Sequence, residues 1–177
     1  MTSNVSALLK DGRTALIRRA VPGDAEGATE LVNIVGAEKK FTLRERATWT
    51  LDEERRTLTA ARPDEGAFFV AEIGGELCGL LNIERGKWPK NRHVASFGMA
   101  LLPNSRRIGL GTGLLRAAIE WARSAGVRKL TLEVFSTNVG AIQLYQKMGF
   151  LEEGRLARQF IIEGTPVDSI LMALWIS

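Results

Sequence analysis

This sequence predicts an α/β (α+β) fold: a mixed, twisted central sheet of about six to seven strands with helices on both faces. Three observations carry that expectation. Segments of strand composition alternate with segments of helical periodicity along the whole 177-residue chain. A glycine-rich turn, Gly109-Leu110-Gly111-Thr112-Gly113, opens straight into an amphipathic run between two strand-like segments. That arrangement makes a β-α-β unit, whose right-handed crossover leaves its two strands parallel. The other strands are joined by short turns and are therefore expected antiparallel, so the sheet is mixed.

The elements follow in order. Residues 1–12 read as a flexible tail, leaving 13–177 as one domain. Thr14 to Ala20 has strand composition. Pro22-Gly23-Asp24 then caps a helix with apolar positions at Ala28, Leu31, Val32 and Val35. Thr50-Leu51-Asp52-Glu53 has the form of a capping box, and a strongly charged helix follows it, by default with a solvated face. Phe68 to Ile73 and Glu76 to Glu84 form a hairpin about Gly74-Gly75. Lys87 to Arg92, with Trp88-Pro89, is a loop. His93 to Leu102 is the fourth strand, stopped by Pro103-Asn104. The glycine loop and its helix run to about Ala125, with Gly126 as terminator. Lys129 to Phe135 is the fifth strand. Asn138 opens a short helix that stops at Gly149. The tail forms two strands around Glu163-Gly164-Thr165-Pro166.

Composition narrows the function classes. The single cysteine, Cys78, excludes an intramolecular disulfide and reads as a small buried hydrophobe. One cysteine and one histidine do not make a structural zinc site or a Cys-His dyad, so no metal is expected. No apolar run is long enough to span a membrane, and the first dozen residues lack a signal-peptide core. A cytoplasmic protein is the expectation. The net charge of +4 suits an anionic ligand. The basic residues are scattered, which argues against nucleic acid.

The glycine turn carries the first chemical signal. Alternating glycines leave backbone N–H groups unobstructed, and the helix behind adds the positive end of its dipole. Together they suit a phosphate. A P-loop would need Gly-Lys-Ser/Thr, and no lysine follows these glycines. A dinucleotide fold would place Gly-x-Gly-x-x-Gly after the first strand, whereas here the spacing is Gly109-x-Gly111-x-Gly113, late in the chain.

A third pattern fits better. Arg106-x-x-Gly109-x-Gly111, preceded by Met99-Ala100-Leu101-Leu102-Pro103, resembles the acetyl-CoA loop of the Gcn5-related N-acetyltransferases (GNAT). Further on, Asn138-x-x-Ala141-x-x-Leu144-Tyr145-x-x-x-Gly149-Phe150 resembles that family's second hallmark segment. Both stand in the family's order with a strand between them, and the resemblance spans about residues 14–176. The tail Glu153-Gly154-Arg155, with Gly164, Asp168 and Met172-Ala173, resembles branches that acetylate amino groups of proteins, polyamines or small amines.

The resemblance implies that the fourth and fifth strands splay apart where the loop begins, and that the gap holds the pantetheine arm of acetyl-CoA against Met99, Ala100 and Leu101. The pyrophosphate is expected on Arg107, Ile108, Gly109, Leu110, Gly111, Thr112 and Gly113, with Arg106 and Arg107 adding charge. Gly113 also reads as a glycine that lets helix and sheet approach. Asn138 is both an N-cap and, in the family, a partner of the cofactor arm. Tyr145 is the candidate general acid, since a phenol can give a proton or hydrogen bond to the departing CoA thiolate.

The base is less defined. Relatives place a glutamate in the fourth strand, but Val94-Ala95-Ser96-Phe97-Gly98 has none. Glu84 is the first substitute, then Glu133, then His93. The expected reaction is direct attack of a primary amine on the thioester in a ternary complex, with no covalent enzyme intermediate. The acceptor (protein or peptide amine, polyamine, small amine) stays open. A homodimer through the C-terminal strands is expected by analogy. The competing reading is a non-catalytic acyl-CoA sensor of the same fold. Trp49 and Trp88 are open between lining a pocket and packing in the core.

Overall fold

The computed structural model describes residues 4–60 and 62–176. Its strands form one eight-stranded mixed sheet in the order β1-β2-β3-β4-β5-β6-β8-β7. In chain order these are β1 (Val5–Leu8), β2 (Thr14–Arg19), β3 (Gly66–Ile73), β4 (Glu76–Arg85), β5 (Val94–Leu101), β6 (Lys129–Phe135), β7 (Leu151–Ile162) and β8 (Thr165–Trp175). The helices are α1 (Ala25–Ala37), α2 (Leu51–Ala60), α3 (Leu110–Ser124) and α4 (Val139–Lys147). The fourth and fifth strands read from the sequence are therefore β5 and β6.

The extra strand corrects the expectation of six or seven strands. Val5–Leu8 lies inside the stretch read as a tail, yet it pairs antiparallel with β2 from Val5↔Ile17 to Leu8↔Thr14. A four-residue strand with mostly exposed side chains gives almost no periodicity to read. Beyond it, the Lys10 N–H donates to the Ile108 carbonyl at 2.9 Å, so this segment braces the glycine loop.

The helix starts show which local signals held. Thr50 and Glu53 form the expected box: the Thr50 N–H donates to Glu53 Oε2 at 2.7 Å and the Glu53 N–H to Thr50 Oγ1 at 3.3 Å. Asp24 does not cap α1 with its side chain. Its carboxylate instead accepts the Val21 N–H at 2.7 Å and pairs with Arg18, which also reaches Glu72. Arg18, six residues earlier near the end of β2, takes the carboxylate that would have capped α1. The Gly74-Gly75 turn has φ of 62° and 86°, the left-handed geometry a two-residue hairpin needs.

Both faces of the sheet are covered. Leu114, Leu115, Ala118, Trp121 and Ala122 of α3 are buried against one face with Ile17, Phe69, Leu81, Ile83 and Leu130. On the other face Ala28, Leu31 and Val35 of α1 pack on Val70 and Leu80. Gly113 serves this packing: a Cβ there would lie 2.3 Å from Ile17 Cδ1. Cys78 is buried and free. Among the described residues no helix is long and apolar enough to cross a membrane, and no group of three or more His, Cys, Asp or Glu side chains is placed to hold a metal.

Candidate active site

The sheet opens in its middle. β5 and β6 pair in parallel only at Val94↔Lys129, Ala95↔Leu130 and Ser96↔Thr131. Both strands continue, to Leu101 and Phe135, with no further pairing between them. Each is held on its outer edge: β5 by β4 out to Gly79↔Leu101, β6 by β8 out to Phe135↔Ser169. The gap is thus a fixed wedge rather than a frayed end.

Backbone polarity lines one side of this wedge. The Val94 carbonyl accepts from Gly86 and the Leu102 N–H donates to Cys78, both at 2.9 Å and both toward β4. Successive residues of a strand face opposite edges, so Phe97 and Met99 turn their N–H and C=O groups into the gap. An extended ligand with amides can pair there as a strand would.

Three rings set the floor behind the gap. Phe97, Tyr145 and Phe150 meet mutually edge-on or tilted, with centroids 5.7 to 5.9 Å apart. Tyr145 is 6% exposed. Its ring is locked by the two phenylalanines, while its hydroxyl has no protein partner among the described residues and borders the cleft. Burial pushes its pKa up to about 12, so the phenol stays protonated and keeps a proton to donate. Asn138 caps α4, accepting the Ala141 N–H at 3.3 Å, and lines the same cleft. Its capping and its cleft position coexist.

The glycine loop has the geometry its sequence implied. Arg107 and Gly109 have φ of 64° and 101°, which turn the chain sharply into α3. Gly109 is the N-cap and offers no side-chain acceptor. The first-turn N–H groups of α3 therefore have neither an intrahelical partner nor a cap. A Cβ at Gly111 would lie 2.8 Å from Leu144 Cδ2, so that glycine lets α3, α4 and the end of β5 converge. Arg106 is placed otherwise than its loop position suggested. Its guanidinium donates to the Leu101 carbonyl at 2.9 and 3.1 Å and grips Glu38, one contact at 2.8 Å, while stacking 5.0 Å over Phe41. Hydrogen bonds from Arg106 hold the Glu38 carboxyl below its usual range. Arg106 ties α1 to the end of β5; Arg107 is exposed.

The cleft continues across the opposite face as a cavity of about 620 Å³. Its walls include Phe41, Arg44, Trp49, Glu54, Phe68, Asn82, Glu84, Gly98, Glu133 and Phe160. Glu84 borders it, paired in register with Ser96. Glu133 borders it too, with Oε1 accepting the Ser169 hydroxyl at 2.6 Å. Trp49 belongs to the cleft, whereas Trp88 is 73% exposed and belongs to neither cleft nor core. His93 precedes β5 and does not border the cleft.

Asn82 and Glu54 were not singled out from sequence. Asn82 fills the space above Gly98, where a Cβ would meet its Oδ1 at 2.9 Å. Glu54 faces inward from a helix expected to be solvated and is 6% exposed. Its signal was present but faint: Glu54 and the buried Leu58 stand four residues apart, on one face of α2.

Comparison with known proteins agrees with this architecture. Residues 30–150 match the model of the acetyltransferase (GNAT) family. Over 121 residues the chain is 36% identical to an N-alpha-acetyltransferase of Sulfurisphaera tokodaii, covering 62% of this chain and 69% of that protein. A GNAT-family acetyltransferase from Streptococcus pneumoniae superposes with a TM-score of 0.86 at 34% identity, covering 92% of this chain and 99% of the other. A putative acetyltransferase of Salmonella typhimurium, yncA, solved with its cofactor acetyl-CoA, shares the fold at a TM-score of 0.84 and 22% identity over 92% of this chain and 94% of its own.

Proposed function

Since this chain belongs to the acetyltransferase (GNAT) family of acyltransferases, we propose that it moves the acetyl group of acetyl-CoA to a primary amine by direct attack, both substrates being held in the cleft together. The observation that carries this reading is the wedge between β5 and β6, with the uncapped start of α3 at one side and the unpartnered Tyr145 hydroxyl at the other.

The residues fit the co-substrate. Phe97 and Met99 offer backbone amides to the pantetheine arm, with Ala100 and Leu101 continuing that wall. The N–H groups of Leu110, Gly111 and Thr112 face the pyrophosphate, supported by the helix dipole. Arg107 is the cation free to approach it, because Arg106 is committed to Glu38. Bound acetyl-CoA supplies an activated thioester. Tyr145 holds the proton at its hydroxyl and donates it to the sulfur as the C–S bond breaks. Glu84 and Glu133 border the acceptor side, where a carboxylate, directly or through water, can accept the proton that the acceptor ammonium must lose before its amine attacks. Cys78 is buried in the core cluster and forms no acyl intermediate.

An acceptor screen with acetyl-CoA, reading thiol release and product mass, tests the reading. Thiol release matched by an acetylated amine is expected with some member of a broad panel. Tight CoA binding with no release across the whole panel would instead favour a sensor.

The cleft wall gives a second expectation. A Cβ at Gly36 would lie 2.5 Å from the Glu45 carbonyl oxygen and 2.6 Å from that of Arg44. Backbone cannot swing aside as a side-chain tip does. Gly36→Ala is expected to displace the segment that carries Arg44 and Trp49, costing about 1–3 kcal/mol of packing and raising the acceptor KM about tenfold. The KM for acetyl-CoA is expected to hold, since the pyrophosphate loop is on another element. Equal changes in both KM values would refute this division of the cleft.

A further inference from the structure

Glu54 is the residue the reaction as described does not use. It is 94% buried by its 6% exposure, yet no hydrogen bond or ion pair reaches its carboxylate among the described residues. It borders the cavity. Burial raises its pKa, with no charge nearby to lower it. An unpaired carboxylate in such a place is costly, and apolar replacement would relieve the fold. Its retention is understandable if a partner arrives from the cavity.

The surroundings say what that partner is. Among the lining residues Glu54, Glu84 and Glu133 are carboxylates, and the one cation, Arg44, is exposed and stacked 5.2 Å over the Trp49 ring. The cavity lining is therefore net acidic. Its walls are aromatic, with Phe41, Trp49, Phe68 and Phe160, surfaces that accept methylene chains and cations alike.

The floor gives a length. Phe68 pairs with Asn82 and Asn82 with Gly98, a cross-strand row from β3 through β4 to β5. α2, which carries Glu54, packs on α1, the Pro22–Asp24 turn and β3. The gap where transfer takes place lies beyond β5. Two strand spacings, about 10 Å, separate the two ends of that row.

We propose that Glu54 is a specificity-determining residue that binds a second cationic group on the acceptor, so that the preferred acceptor is an α,ω-diamine-like molecule with an apolar spacer. One amine is held at Glu54 while the other, across the floor, meets the thioester beside Glu84 and Glu133. This rests on the acetyl-transfer reading and refines its acceptor.

The test compares 1,4-diaminobutane and its homologues with butylamine and with an α-amino acid, in wild type and Glu54→Gln. Wild type is expected to favour the diamine over butylamine by about 10- to 100-fold in kcat/KM, the range one ion pair in a desolvated site supplies. In Glu54→Gln that preference is expected to collapse, through the diamine KM, with butylamine kcat/KM unchanged and Tm unchanged or raised. Glu54→Asp, which keeps the charge, is expected to restore part of it. Equal use of diamine and butylamine by wild type overturns the proposal. So does an equal loss on all acceptors in Glu54→Gln, which would make Glu54 a general base or a structural group. Preference for the amino acid overturns it as well. A separate arm measures the Tm rise caused by diamine in the presence of CoA. If nothing is acetylated, the acetyl-transfer reading fails, and this arm decides Glu54 alone: stabilisation lost in Glu54→Gln supports it, and stabilisation retained or absent in both overturns it.

Discussion

Tyr145→Phe is expected to lower kcat by two to four orders of magnitude, the usual range for a positioned general acid, equivalent to about 3–5 kcal/mol of barrier. The substitution removes one oxygen and little else. The ring contacts to Phe97 and Phe150 are kept. No protein hydrogen bond among the described residues is lost, because the hydroxyl has none there, so the fold should be undisturbed. The KM for acetyl-CoA should change little. A pH consequence follows from the same burial. With the phenol raised to about 12, it stays protonated across the working range. The kcat profile of the wild type should therefore have no descending limb from Tyr145 below about pH 10, and any rise with pH belongs to the amine or its base. Unchanged turnover of Tyr145→Phe at saturating acetyl-CoA would remove the tyrosine from the mechanism. Since Tyr145 is the only tyrosine in the chain, no neighbouring phenol can stand in for it.

Gly109→Ala is expected to raise the KM for acetyl-CoA about 10- to 100-fold, with a smaller effect on kcat. The cause is conformational. Gly109 has φ of 101°, and a Cβ there would meet nothing within 4 Å. The strain of placing an alanine in that region is about 1–3 kcal/mol, with no steric clash to confuse it. The chain can relieve it only by rotating the peptides that aim the first N–H groups of α3. Gly126→Ala is the control. It also has positive φ, 69°, and also meets nothing within 4 Å, but it terminates α3 at the end far from the loop. Both variants should lose several degrees of Tm, at about 2–4 °C per kcal/mol for a chain of this size. Only Gly109→Ala should lose affinity for acetyl-CoA. Equal KM values in the two variants would show that the loop's backbone geometry does not hold the pyrophosphate.

Much of the fold was legible because its signals are short-range. The Gly74-Gly75 hairpin, the Thr50–Glu53 box and the stop at Gly126 each depend on a few adjacent residues, and each stands where it was read. So do the glycine turn before α3 and Asn138 at the start of α4. Asn138 and Tyr145 line one cleft because two helical turns bring them to a similar face. What escaped was non-local. β1 was invisible because four mostly exposed residues have no pattern of their own; pairing with β2 makes them a strand. Asp24 does not cap α1 itself because its carboxylate is held by the Val21 N–H and by Arg18, which Glu72 on β3 holds in place. Arg106 looked like a phosphate ligand, but Glu38, on a helix far earlier in the chain, occupies its guanidinium.

By itself the sequence determined the family, the order of the elements from β2 onward, the phosphate-type turn and the phenol behind it, since each is written in neighbouring residues or in helical spacing. Tertiary structure alone decided where β5 and β6 part, because that depends on β4 and β8 holding their outer edges while three aromatic rings pack behind the gap. It also placed β8 between β6 and β7, an order that adjacent hairpin strands do not require. And it alone turned Glu54 inward. In a helix so charged, hydropathy cannot say which carboxylate faces the protein; that is settled by what α1, β3 and the cavity leave open beneath it.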